Sequence, residues 1–130
     1  MFMIHTTEDG RIPGFEYLPA SAFTPKVGMA LMMTNGKLAV AGAANKPVYI
    51  SMAERDAVCT AGELIPVIRV QQDVVFETTF SAAASSVKPG DKVTMTADGL
   101  QVTATTEGGV AEIVEMHGTA AGDKVRVRFA

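Results

Sequence analysis

The sequence predicts an all-β protein, a compact β-barrel or sandwich made of two similar β-units with an extended N-terminal arm. Three observations carry this expectation. From residue 25 onward short runs are rich in Val, Ile, Thr and Met; glycine-containing turns cut them about every eight to twelve residues; and the turn residues recur about sixty positions apart.

Residues 1–24 set Gly10, Pro13, Gly14 and Pro19 between isolated apolar residues, Phe2, Ile4, Ile12, Phe15, Tyr17 and Leu18, and no period of 2 or 3.6 persists. This segment reads as the arm. Three fates stay open for it: reaching a neighbouring subunit, remaining a disordered tail, or packing irregularly on its own barrel.

Residues 25–130 read as a single β domain with expected strands at Met29–Met33, Lys37–Ala41, Val48–Met52, Leu64–Val70, Val74–Phe80, Lys92–Thr96, Gln101–Thr105, Val110–Met116 and Lys124–Phe129. In the last, Val125, Val127 and Phe129 alternate with Lys124, Arg126 and Arg128, as a half-buried antiparallel strand requires. Asn35-Gly36 and Asp98-Gly99 mark tight hairpins, because Asx-Gly pairs tolerate the positive φ of type I′ turns. Met52–Cys59 reads as a loop with one short helix at most.

Gly28 matches Gly90, Asn35-Gly36 matches Asp98-Gly99, Ile50 matches Ile113, and Ala61-Gly62-Glu63 matches Ala121-Gly122-Asp123. The spacing shortens from 63 to 60 residues, which places a three-residue insertion in the Met52–Thr60 loop. Pseudo-repeats are therefore expected at about 25–72 and 87–130; chance coincidence of glycine turns is the competing reading.

With 130 residues the chain has the size of one domain. Hydrophobic residues make up 48% and charged ones 19%, below the typical share of about 25%. A surface so short of charge points to burial against partners or copies of itself. The formal charge of −3 is scattered, with no basic cluster for phosphates, so nucleic acid is not an expected partner. No run approaches the roughly 18 apolar residues that span a bilayer. The N-terminus has neither a basic region nor an apolar stretch of signal-peptide length, and the lone Cys59 fits a reducing compartment.

The inventory for catalysis is thin. Cys59 with His117 is the one thiol–imidazole combination, and the bland reading, a buried thiol and a loop histidine, is preferred. His5 and His117 are isolated, and Glu54, Asp56 and Glu63 do not follow a calcium-loop pattern, so no metal or cofactor is expected. Val87-Lys88-Pro89-Gly90-Asp91-Lys92-Val93 looks like the entry turn of small SH3-like barrels, which turn chemistry alone explains. The eight methionines either fill core gaps or coat an adaptable interface. Neighbours on a strand face opposite sides, so one of Met32 and Met33 is expected to point away from the core. Together with Phe2, Ile4, Phe15, Tyr17 and Leu18, these two are the candidate contacts with other subunits.

Val27-Gly28-Met29-Ala30-Leu31 through Asn35-Gly36-Lys37-Leu38, then Lys46-Pro47-Val48-Tyr49-Ile50 and Ala61-Gly62-Glu63-Leu64-Ile65-Pro66-Val67, resemble small head-decoration (capsid cement) proteins of tailed bacteriophages. The likeness covers roughly 23–70, with a weaker echo in 87–129. It implies a non-enzymatic virion protein, made in the host cytoplasm, that sits on the capsid exterior, binds the major capsid protein and forms homotrimers. The apparent second copy of the unit departs from that pattern. Two alternatives remain, a tail, tube or baseplate component, and a small β-barrel ligand-binding module or enzyme.

Overall fold

The structure, a computed structural model, describes residues 1–8 and 10–129. Its strands are β1 (Met3–Thr7), β2 (Phe15–Pro19), β3 (Ala30–Thr34), β4 (Lys37–Val40), β5 (Tyr49–Ser51), β6 (Leu64–Arg69), β7 (Val74–Thr79), β8 (Lys92–Val93), β9 (Ala111–Met116) and β10 (Lys124–Arg128). They form two five-stranded antiparallel sheets, in the orders β1-β7-β10-β9-β8 and β2-β6-β5-β3-β4. The sheets pack face to face as a sandwich. No helix occurs among the described residues, and the 52–60 loop holds only a bend.

Turn chemistry shapes the hairpins differently. Asn35 (φ 50°) and Gly36 (φ 76°) both take positive φ, as type I′ demands. At the second hairpin only Gly99 does so (φ 70°). There the Asp98 carboxylate accepts from the Leu100 N–H at 3.1 Å and from the Thr96 hydroxyl at 2.6 Å, so an Asx turn replaces the expected type I′. Gln101–Thr105, expected as a strand, forms only bridges at Val102, to Phe80 and Met95.

Backbone hydrogen bonds recur in matched pairs across the two halves of the chain, beginning earlier than the turn residues suggest. Ala20 N–H donates to Glu63 C=O and Phe80 N–H to Asp123 C=O; Ser21 N–H donates to Leu38 C=O and Ser81 N–H to Val102 C=O. Gly28 N–H donates to Ser51 C=O and Gly90 N–H to Ile113 C=O, while Gly62 N–H reaches Ala20 C=O and Gly122 N–H reaches Phe80 C=O. The units are therefore about 15–69 and 74–128, so β2 is the counterpart of β7 and belongs to the first unit. The extra length in the first unit's last loop is two residues, since Ser51 pairs off with Ile113 and Gly62 with Gly122.

The segment expected as an arm is extended in backbone, but it lies on its own sandwich. β1 runs antiparallel to β7, with Met3 opposite Glu77 and Ile4 opposite Phe76, and β2 runs antiparallel to β6. Phe2 is buried in the main core, edge-on to Phe129 at 5.3 Å, and its N–H donates to Gly28 C=O at 2.9 Å. Interleaved glycine and proline hid these strands because their register is set by β7 and β6 rather than by their own alternation.

The main core lies between the sheets. Ala30, Ile50 and Ile68, in register across one sheet, meet Phe76, Ile113, Val125 and Val127 from the other. A second core covers the opposite face of the β2-β6-β5-β3-β4 sheet, where Leu31, Leu38, Tyr49, Ile65 and Val67 pack under Ala53 and Cys59 of the long loop. That sheet is thus buried on both sides. The units contact each other head to tail, because the second-unit counterparts of Ala30, Ile50 and Ile68 are Lys92, Glu112 and Arg128. These three are in register on the outer, charged face.

That charged face follows the alternation expected of Lys124–Phe129. Arg126 bridges Glu77 and Glu115, and Arg128 meets Glu112 at 3.2 Å. The Arg126 hydrogen bond holds the Glu115 carboxyl below the usual carboxylate range. Its folded pKa lies below its unfolded one, so the contribution is present above the unfolded value and fades as pH falls through the folded one. Glu115→Gln should therefore lower the urea midpoint slightly at about pH 6, and the deficit should shrink as the pH falls below the ordinary carboxylate range. A deficit that stays the same as the pH falls would refute this assignment.

Candidate interaction surface

The surface begins with the hydrogen-bond parity of β2. Ala20 N–H donates to Glu63 C=O at 2.8 Å, and the register through Phe15 opposite Ile68 has no bulge. Antiparallel alternation then points the backbone of Glu16 and Leu18 toward β6 and that of Phe15 and Tyr17 outward. Pro66, opposite Tyr17, has no N–H to donate, which agrees with that parity. In the second unit the equivalent edge of β7 is occupied by β1. In the first unit β2 ends the sheet: just past Pro19 the chain meets β4 through the Ser21 N–H to Leu38 C=O bond, and the edge is open at Phe15 and Tyr17.

Side-chain parity makes this edge apolar. Phe15, Tyr17 and Leu64 share the face that carries Ile50 and Ile68 into the main core, but they lie beyond the cover of the other sheet. They are 59%, 63% and 58% exposed. Ile12, 74% exposed, extends the patch toward β1. Between the two sheet margins runs an apolar groove of about 230 Å³, lined by Phe2, Met3, Ile4, Ile12, Phe15 and Ile68 among others. On the opposite face of β2, Leu18 packs on the second core, and Glu16 accepts two hydrogen bonds from Arg69 at 3.0 and 3.2 Å. The Arg69 guanidinium in turn lies 5.1 Å from the Tyr49 ring centroid.

Of the seven residues expected to make contacts, Phe15 and Tyr17 stand together on this rim. Phe2 is a core residue, and Ile4 and Leu18 are partly buried against the two cores. Met32 packs on the main core and Met33 on the second, so neither points away from a core. Alternation exposes one side of a strand only where a single face is buried, and this sheet is buried on both. Met3 and Leu64 join the surface although sequence reasoning passed over them. Their signal lies in phase with known neighbours, Leu64 two positions from Pro66 and opposite Pro19.

The chemistry-bearing residues do not converge. Cys59 is buried in the second core, where burial, and next the Glu63 hydrogen bond, push its thiol up and favour the unreactive protonated form. His117 sits just past the end of β9, beside Glu115 at 3.5 Å. Among the described residues no three His, Cys, Asp or Glu side chains gather as a metal set, and no helix is long and apolar enough to cross a membrane. A polar cleft of about 320 Å³ is lined by Glu8, Gln72, Asp73, Glu112 and Arg128. Its carboxylates outnumber its one guanidinium, an arrangement unsuited to anions.

No protein-family model matches the chain, and a search of curated proteins finds no match either.

Proposed function

We propose that this chain is a non-enzymatic virion structural protein that docks on the assembled shell of a tailed bacteriophage, on its exterior, and stabilises it as a decoration protein. The observation that carries the reading is the apolar rim of Met3, Ile12 and Phe15 around the groove, set on a chain with only 19% charged residues. Exposed apolar groups rimmed by polar surface mark protein contacts. Repeated over a symmetric lattice, modest contacts per copy add to a large stabilisation through effective concentration. The major capsid protein is the partner this reading names.

Co-sedimentation of the purified protein with phage heads lacking it tests the proposal. Wild type should bind saturably, and Met3→Ser combined with Ile12→Ser should weaken binding by about tenfold or more, because both side chains are exposed and lost apolar anchors act mainly on dissociation. Equal binding by the double variant, or no binding of wild type to any head, would sink it. Rings or tubes assembled by the protein alone would move the reading to a tail component.

A further inference from the structure

We propose that the open edge of β2 is a self-association site, at which a second copy of this chain adds its own β2 antiparallel about a two-fold axis. The inference goes beyond shell docking and stands without it.

The molecule supplies its own precedent. The two units share one hydrogen-bond pattern, yet β7 carries an added antiparallel strand and its counterpart β2 does not. Met3 of that added strand lies opposite Glu77, the counterpart of Tyr17, so the vacant pairing position in the first unit is centred on Tyr17. The chain's own N-terminal residues cannot fill it, since β1 is already committed to β7 and residues 15–19 are the edge itself.

β2 is complementary to itself. When Phe15 of one copy stands opposite Tyr17 of the other, both outward-pointing residues of each strand exchange bonds, about four backbone hydrogen bonds in all. The same register forms two Phe15–Tyr17 cross-strand aromatic pairs on the exposed face, a favoured combination. The two Glu16 side chains meet on the other face, each already neutralised by its own Arg69. Pro19 then falls opposite Pro13, so pairing stops where neither residue has an N–H to offer. A short edge closed by prolines permits one specific partner and discourages open-ended aggregation. An interface of this extent belongs to the small class, under roughly 1,200 Å², and so gives a concentration-dependent dimer rather than a permanent one.

Sedimentation velocity on the full chain alone, from about 1 µM to 1 mM, reads the outcome over the range expected of weak interfaces. Wild type should show a monomer–dimer equilibrium. Tyr17→Pro deletes an N–H that points outward and serves no bond within the chain, so the fold should persist while the dissociation constant rises about tenfold or more. Tyr17→Arg, which leaves the backbone untouched and sets two cations at the interface, decides the matter if the proline variant proves poorly folded. A wild type that stays monomeric throughout, leaving the edge to a strand of another protein, overturns the proposal. So does a trimer or other stoichiometry, or dimerisation unchanged in the folded variants. Because no phage head is present, failure here is separate from failure of shell docking.

Discussion

Phe2→Ala is expected to lower the unfolding free energy by about 3–5 kcal/mol, the usual result of truncating a fully buried aromatic ring. The ring lies in the main core against Phe129, which also contacts Phe76, so its loss opens a cavity where the two sheets meet. Against a typical total of about 5–15 kcal/mol, this is a large fraction. Urea unfolding followed by tryptophan-independent far-ultraviolet dichroism would measure it, with an m-value close to wild type. A loss under about 1 kcal/mol would show that the N-terminus does not hold the sandwich. The same geometry predicts that deleting residues 1–24 unfolds the protein: it removes Phe2 and two sheet strands together, so truncation is no clean test of an arm.

The second large effect comes from a matched pair of glycines. Gly28 and Gly90 occupy equivalent places in the two units, with φ of +80° and +95°. At either one, alanine forces a left-handed L-residue, at about 1–2 kcal/mol. At Gly90 the new methyl meets open space, and strain is the whole effect. At Gly28 it would stand 2.5 Å from the Met1 Cβ and 2.8 Å from the Phe2 N, so the N-terminal segment must be displaced and its bond to Gly28 stretched. Gly28→Ala should therefore exceed Gly90→Ala by about 1–3 kcal/mol. Equal losses in the two variants would mean that the N-terminal residues yield freely and anchor nothing.

How much of this was legible in the sequence depended on where local chemistry and tertiary context agreed. From residue 25 on, glycine and Asx turns bracket short β-branched runs, and eight of the nine expected strands appear, because turn residues act locally. Gln101–Thr105 falls short because its pairing with the segment after β8 is irregular: Thr94 bonds both Thr103 and Thr105, and Val102 is left in isolated bridges to Met95 and Phe80. β1 and β2 were hidden because edge strands of five residues take their register from neighbours far along the chain. Of the candidate surface Phe15 and Tyr17 were legible, since they are apolar residues in a proline-flanked stretch with no helical period. Met32 and Met33 misled for a different reason. The unbroken run Ala30-Leu31-Met32-Met33 was the signature of a strand covered on both faces, and alternation has no exposed side to indicate there.

The unlike faces of the two units limit how far this architecture can grow. A head-to-tail contact is the kind that propagates, since each added module would offer its successor the same seat, and the product would be an unbounded filament of β-units. Here the seat on the second module carries Lys92, Glu112 and Arg128 where the first carries alanine and two isoleucines, so a third module would have to strip water from three ions to sit down. Ionic groups on the second module's outer face thus play the part that polar end-caps play in solenoids.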